Sequence, residues 1–145
     1  IYTLTATDII ADVNGYVPAG GSPVSVVPGR LLDSRPGEET VDHLFEGDGR
    51  RVAGSVTELK VTGRGGVPAD ADAVMLNVAA VLPDDWGFLT VYPCGVERPL
   101  ASNVNYGPGD VVPNAVLAKV GEGGRVCIYT LTATDIIADV NGYVP

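Results

Sequence analysis

Three charged residues lie close enough in the sequence to act as a group: Arg30, Asp33 and Arg35. Side chains alternate along an extended chain, so Arg30 and Asp33 should face opposite sides while Asp33 and Arg35 share one. Such a group either fixes the loop after it as an ion pair, or offers the planar donor fork of Arg to a carboxylate or a sugar. Material for acid–base chemistry is thinner. His43 is the single histidine, and it sits in the most polar stretch of the chain. No nucleophile-elbow pattern surrounds it, so a Ser/His/Asp triad is not expected. Among 18 acidic residues no pair stands out as the two carboxylates of a glycosidase. Asp84 and Asp85 would meet Glu97 or Asp110 only if loops converge at one end of a sheet. Asp12-Val13-Asn14-Gly15 and its copy at 139–142 open like a calcium loop, but the later oxygen ligands and closing Glu do not follow. A turn in which Asp caps backbone amides is the expectation there, with no metal and no cofactor. Trp86, Tyr92 and Tyr106 could stack on sugar rings. Trp86, Tyr106 and Arg30 are therefore the candidate ligand residues. Cys94 and Cys127 are either two buried thiols or a disulfide formed in an oxidising compartment.

These residues hang on a chain with one unusual property. IYTLTATDIIADVNGYVP runs from Ile1 to Pro18 and again, without a substitution, from Ile128 to Pro145. Eighteen consecutive identities at an offset of 127 residues point to a tandem array, in which each period is one structural unit. The chain then divides into residues 1–18, the closing hairpin of a preceding repeat, and 19–145, one complete β domain. Asn14-Gly15 is the dipeptide best suited to a type I′ turn, so Asp8 to Val13 is expected to turn there into Tyr16-Val17-Pro18. Pro18-Ala19-Gly20-Gly21-Ser22-Pro23 has the composition of a linker.

The remaining sequence reads as strands. Nineteen Gly and 11 Pro fall in turn-like clusters, and no stretch carries helical apolar spacing with caps. Val24–Val27 and Arg30–Asp33 read as short strands split by Pro28-Gly29; residues 35–51 are a polar loop with a short pairing near Leu44-Phe45. Residues 51–61 alternate, and Ala73 to Leu82 is nearly continuous in apolar residues, as in a central strand. Phe88–Tyr92, Leu100–Tyr106, Val111–Val120 and Arg125–Thr130 follow between turns. Ala73–Val78 with Gly87–Tyr92 echoes Ala115–Val120 with Gly124–Tyr129, which suggests two hairpins of one design. Strands at this spacing predict an all-β antiparallel sandwich, with a β-barrel as the alternative. A hydrophobic content of 46% is enough for a core, and a net charge of −9 argues against nucleic acid, whose phosphates need a basic stripe. No apolar run approaches the ~18 residues of a membrane span.

Several ordered motifs resemble a known domain. Arg30-Leu31-Leu32-Asp33-Ser34-Arg35-Pro36-Gly37 is followed by Gly66-Val67-Pro68 and Ala73 to Val78. Then come Gly87 to Gly95, Arg98-Pro99, Ser102-Asn103-Val104-Asn105-Tyr106, Val126-Cys127 and the closing Asp139-Val140-Asn141-Gly142-Tyr143. Residues 26–145 thus resemble a domain of secreted and cell-surface bacterial proteins with an RLLDTRPG-like opening and a DVNGYF-like close. It occurs singly or in tandem, often beside secreted hydrolase domains. Ser34 stands where Thr is usual, and Val144 where an aromatic is usual. The resemblance implies an extracellular accessory domain without a defined ligand or catalytic residues. It also places Cys94 and Cys127 in one unit, which implies their pairing, worth about 3 kcal/mol on the loop-entropy account.

The expectation is an extracellular structural repeat of a fibre, stalk or surface array, and not an enzyme. Its partners would be neighbouring repeats or copies of itself. One domain has one place for the closing hairpin, so this chain carries one too many. Ile1, Leu4, Ile9, Ile10, Val13, Asn14, Gly15 and Tyr16 would form an assembly hairpin that inserts into another molecule by strand donation. The alternative is a carbohydrate- or cell-wall-binding module.

Overall fold

The structure is a computed structural model, and it describes residues 5, 6, 8, 9, 11–13 and 15–145. Eight strands form two four-stranded antiparallel sheets: β1 (Val24–Asp33), β2 (Val56–Lys60), β3 (Ala73–Val81), β4 (Gly87–Pro93), β5 (Val104–Tyr106), β6 (Val111–Lys119), β7 (Arg125–Thr130) and β8 (Asp135–Val144). The first sheet has the order β1-β8-β3-β6 and the second β2-β7-β4-β5. The sheets stack as a sandwich and do not close into a barrel. Each edge strand in this order keeps one side without a ladder partner within its sheet, which is where a proline is tolerated. Pro28 and Pro113 fall on β1 and β6, the edges of the first sheet.

The core follows from alternation. Val74, Leu76, Val78 and Ala80 of β3, Val116 and Ala118 of β6, and Ile136, Ala138 and Val140 of β8 point inward from the first sheet. Leu59, Leu89, Val91, Val126 and Ile128 meet them from the second. Tyr92 packs separately, with the disulfide between Cys94 and Cys127. Cys127 lies in β7, paired with Tyr92 of β4, and Cys94 follows the end of β4; their Cα atoms stand 5.0 Å apart.

Three expectations from the sequence need correcting. Val24 to Asp33 is one strand and not two, because a register irregularity between Ser25 and Gly29 absorbs Pro28-Gly29 against β8. The two echoing segments are not hairpins. β3 to β4 and β6 to β7 each cross from one sheet to the other, and the similar arches then lie side by side through the β3–β6 and β4–β7 ladders. Nor does Asn141-Gly142 make a turn. Residues 128–145 are the end of β7, an arch between the sheets, and one ten-residue strand. Asn141 is the extra residue of a bulge opposite Met75 and Leu76. Gly142 is needed for space, since a Cβ there would stand 2.7 Å from the Val24 carbonyl oxygen. A glycine in a strand often marks such a close backbone approach.

The polar loop at 34–51 is held from below by Arg64, whose side chain is only 4% exposed. Its guanidinium donates to both Asp42 oxygens at 2.6 and 2.7 Å and to the carbonyls of Lys60, Leu31 and Leu44. The Phe45 ring lies 4.9 Å from its centre. His43 and Phe45 both adopt positive φ, a conformation that tertiary contacts must hold in place.

Candidate functional site

The charged residues flagged in the opening motif come together around the duplicated strand. Arg30 and Asp33 were expected on opposite faces of β1, and they are not. A register shift between Arg30 and Leu32 inserts one extra residue opposite β8, so Leu31 and Leu32 are both buried and Arg30 turns to the side of Asp33. Arg30 Nη1 donates to Asp33 at 2.8 Å, while its Nε donates to Asp139 of β8, also at 2.8 Å. Asp33 is 0% exposed and receives four further-reaching donors in all: Arg30, the Arg35 backbone N–H, and the Arg35 Nε and Nη2 groups. The cluster is a chain of four charges, Arg35–Asp33–Arg30–Asp139.

A second contact sits four residues earlier on β8. The Ser34 hydroxyl donates to Asp135 at 2.7 Å and accepts from the Ile136 N–H at 2.9 Å, and the Ser34 N–H donates to the Ile136 carbonyl. Arg50 bonds the other Asp135 oxygen at 3.3 Å and reaches Asp84 and the Leu82 carbonyl. Residues 30–34 therefore address Asp135 and Asp139 while β1 and β3 pair the backbone of β8 on either side. The arrangement holds a strand with acidic residues at positions i and i+4 and apolar ones between. The segment held is Asp-Ile-Ile-Ala-Asp, and the chain contains that sequence twice.

Electrostatics fit this role. Burial works to raise the Asp33 pKa, but the hydrogen bonds from Arg35 and the charges of Arg35 and Arg30 outweigh it, so the carboxyl is held below its ordinary value. Asp139, by its hydrogen bond, raises Arg30 above the usual arginine value. Asp42 is held low by its hydrogen bonds from Arg64. A carboxyl with a lowered folded-state pKa binds protons more weakly than in the unfolded chain. Its stabilisation is complete above about pH 4 and drains as pH falls through the lowered value. Urea unfolding midpoints should thus be flat from neutrality to about pH 4.5 and fall below it. Asp33→Asn should lower the plateau and shallow the acid limb; an unchanged limb would mean that Asp33 carries none of it.

The other candidates are scattered. Trp86 is 74% exposed on the β3–β4 arch, with its ring against Gly107. Tyr106 is 3% exposed, and its hydroxyl is hydrogen-bonded to Thr130 at 2.9 Å. It offers no ring face for a sugar platform, because that face is spent on the core. Arg30 borders a different, open groove of about 560 Å³ with Glu39, Asn77, Asp139 and Asn141. Trp86, Tyr106 and Arg30 do not form one site. His43 is an exposed residue paired to Glu46. Among the described residues no group of three His, Cys, Asp or Glu is arranged to hold a metal ion, and no helix is long and apolar enough to cross a membrane.

Of the expected assembly hairpin, Ile1, Leu4, Ile10 and Asn14 lie outside the described residues. Ile9, Val13 and Tyr16 are exposed, and none of the described residues before Val24 is in a strand. Gly15 lies against the Leu117 side chain, and Asp12 accepts from the Ser102 N–H at 3.3 Å. The sequence singled out both the opening motif and the duplicated segment, but not that one receives the other. No protein-family model matches the chain, and no curated protein matches it.

Proposed function

We propose that the chain is a structural repeat of an extracellular array whose units join through the duplicated segment. One observation carries this reading: the second copy of the duplicated sequence fills a central strand position, addressed by Arg30 and Ser34, and the first copy is a full duplicate of that strand. A sandwich needs one such strand, and the first copy has the residues to fill the same position in another unit. Strand donation supplies main-chain hydrogen bonds for affinity and alternate side chains for register. Contact of this head-to-tail kind propagates as a filament unless its rotation closes a ring. The polar clusters support the same reading, since Asp33, Asp42 and Arg64 spend their hydrogen bonds inside the fold. The disulfide supports an oxidising, extracellular location.

Light scattering and electron microscopy on the full chain, beside one beginning at Ala19, test this. The full chain should form filaments and the shortened one should stay monomeric. Two monomers would remove the assembly reading. A glycan- or cell-wall-binding module then has one supporting observation, the exposed Trp86 indole over Gly107. It would be tested by retention of the chain, and not of Trp86→Ala, on insoluble glycans.

A further inference from the structure

The β8 position can be reached from both ends of the same unit. Val24, at the start of β1, pairs with Tyr143, near the end of β8, so the entry and exit of the domain are neighbours. Tyr16 is the counterpart of Tyr143 in the first copy, and only the seven residues from Val17 to Pro23 separate it from Val24. Paired residues on adjacent antiparallel strands stand about 5 Å apart, and a loop of this length closes such a gap easily.

The reversal is already in place. The Gly21 N–H donates to the Pro18 carbonyl at 2.9 Å, and Gly20 takes the left-handed φ of +87° that the turn requires. Val17 and Pro23 consequently lie in one groove with Met75, Leu117 and Val144. Val17, the counterpart of Val144 in the first copy, thus lies beside the end of the strand that the copy duplicates.

We propose that residues 8–17 exchange with residues 135–144 in the β8 position of their own unit. They would enter as the first arm of a hairpin with β1. Asp8, Ile9, Ala11, Asp12 and Val13 repeat Asp135, Ile136, Ala138, Asp139 and Val140, so the core contacts and the bonds to Ser34 and Arg30 are the same in either form. The forms differ in their connection: residues 131–134 link β7 to β8 in one, and residues 18–23 link the strand to β1 in the other. Closure cost grows only slowly with loop length, so the two forms lie close in free energy. Exchange releases residues 135–144 from the sheet, and they become available to a second copy of this chain. The segment open to donation is thereby switched from the first copy to the second. The exchange rests on the duplication and the pairing at Val24; its use in assembly rests on the function proposed above.

Aspartate at a fully buried core position disables one copy at a time. Ile136 is 0% exposed, and Ile9 is its counterpart. Ile136→Asp should remain a folded monomer by near-UV circular dichroism and light scattering, with a melting temperature within about 5 °C of the parent. Ile9→Asp should be silent, and the double variant should unfold. If Ile136→Asp folds only as an oligomer with concentration-dependent melting, the own-unit exchange is overturned in favour of donation between molecules. If it does not fold, residues 5–131 decide, because that shortened chain holds every position of the unit once with its break between β7 and β8. A native near-UV spectrum from it upholds the exchange, and an unfolded one ends it. Filament formation by the parent chain is a separate readout, so failure of the array and failure of the exchange are told apart.

Discussion

Arg64→Ala should lower the stability of the chain by roughly 2–4 kcal/mol, from lost charge-assisted hydrogen bonds and buried acceptors left short of a donor, since the Asp42 it abandons is 31% exposed and regains water. The side chain is 4% exposed and makes a bidentate pair with Asp42. It also serves carbonyls from three separate places: Leu31 in β1, Lys60 in β2 and Leu44 in the 34–51 loop. Truncation takes a donor from each of these carbonyls at once; Leu44 keeps the Thr40 hydroxyl, and a buried acceptor left unsatisfied costs more than a made bond contributes. The loss is large against a total of about 5–15 kcal/mol for a domain. Lysine should rescue little. A single ammonium cannot reproduce the planar fork that spans Asp42 and the carbonyls together. Denaturant midpoints at neutral pH measure the effect, and a loss below about 1 kcal/mol would place Arg64 among surface ion pairs. The same variant should loosen His43 and Phe45, whose positive φ is sustained by that loop's contacts.

The sequence makes Arg64 look like part of a glycine-rich turn, and nothing in its neighbourhood marks it as the centre of a buried network. That outcome depends on where Leu31 and Asp42 stand in space, which local spacing does not encode. Other features were plain. Arg125 to Thr130 is a strand as its alternation implies, and the apolar run from Ala73 is central in its sheet, paired by β8 on one edge and β6 on the other. Asn141-Gly142 misled for a physical reason. The pair fits a tight turn, but glycine also fits a bulge where two backbones come close, and only the partner strand decides between them. Arg30 and Asp33 misled in a related way. Strict alternation separates them, and a register shift against β8, more than a hundred residues away in sequence, brings them together. The contact of residues 30–34 with β8 was therefore divided between two legible motifs whose adjacency was not legible. Local chemistry identified the parts; long-range pairing assigned them to each other.

Reduction of the disulfide, or Cys127→Ala, should destabilise the fold by about 3 kcal/mol on the loop-entropy account. For a domain of this size that corresponds to a fall in melting temperature of roughly 10–15 °C. The bond joins Cys94 to Cys127 across a sequence separation of 33 residues. It lies beside a backbone junction where the Glu122 N–H donates to the Cys94 carbonyl and the Gly121 N–H donates to the Arg125 carbonyl, both at 2.9 Å. Packing there is close enough that a Cβ on Gly121 would stand 2.3 Å from the Cys94 backbone. The junction should therefore persist after reduction, and the loss should come mainly from the freer unfolded chain. Cys127 belongs to the second sheet and Cys94 follows directly on its strand β4; both lie outside the duplicated segment, whereas β8 is in the first sheet. The destabilisation should then be equal in the parent and in Ile136→Asp, within the few tenths of a kcal/mol expected for independent sites. Calorimetry with and without reductant on both chains measures this. A loss that differs between them by more than about 1 kcal/mol would mean that the staple and the strand position are coupled, and that the two sheets do not open independently.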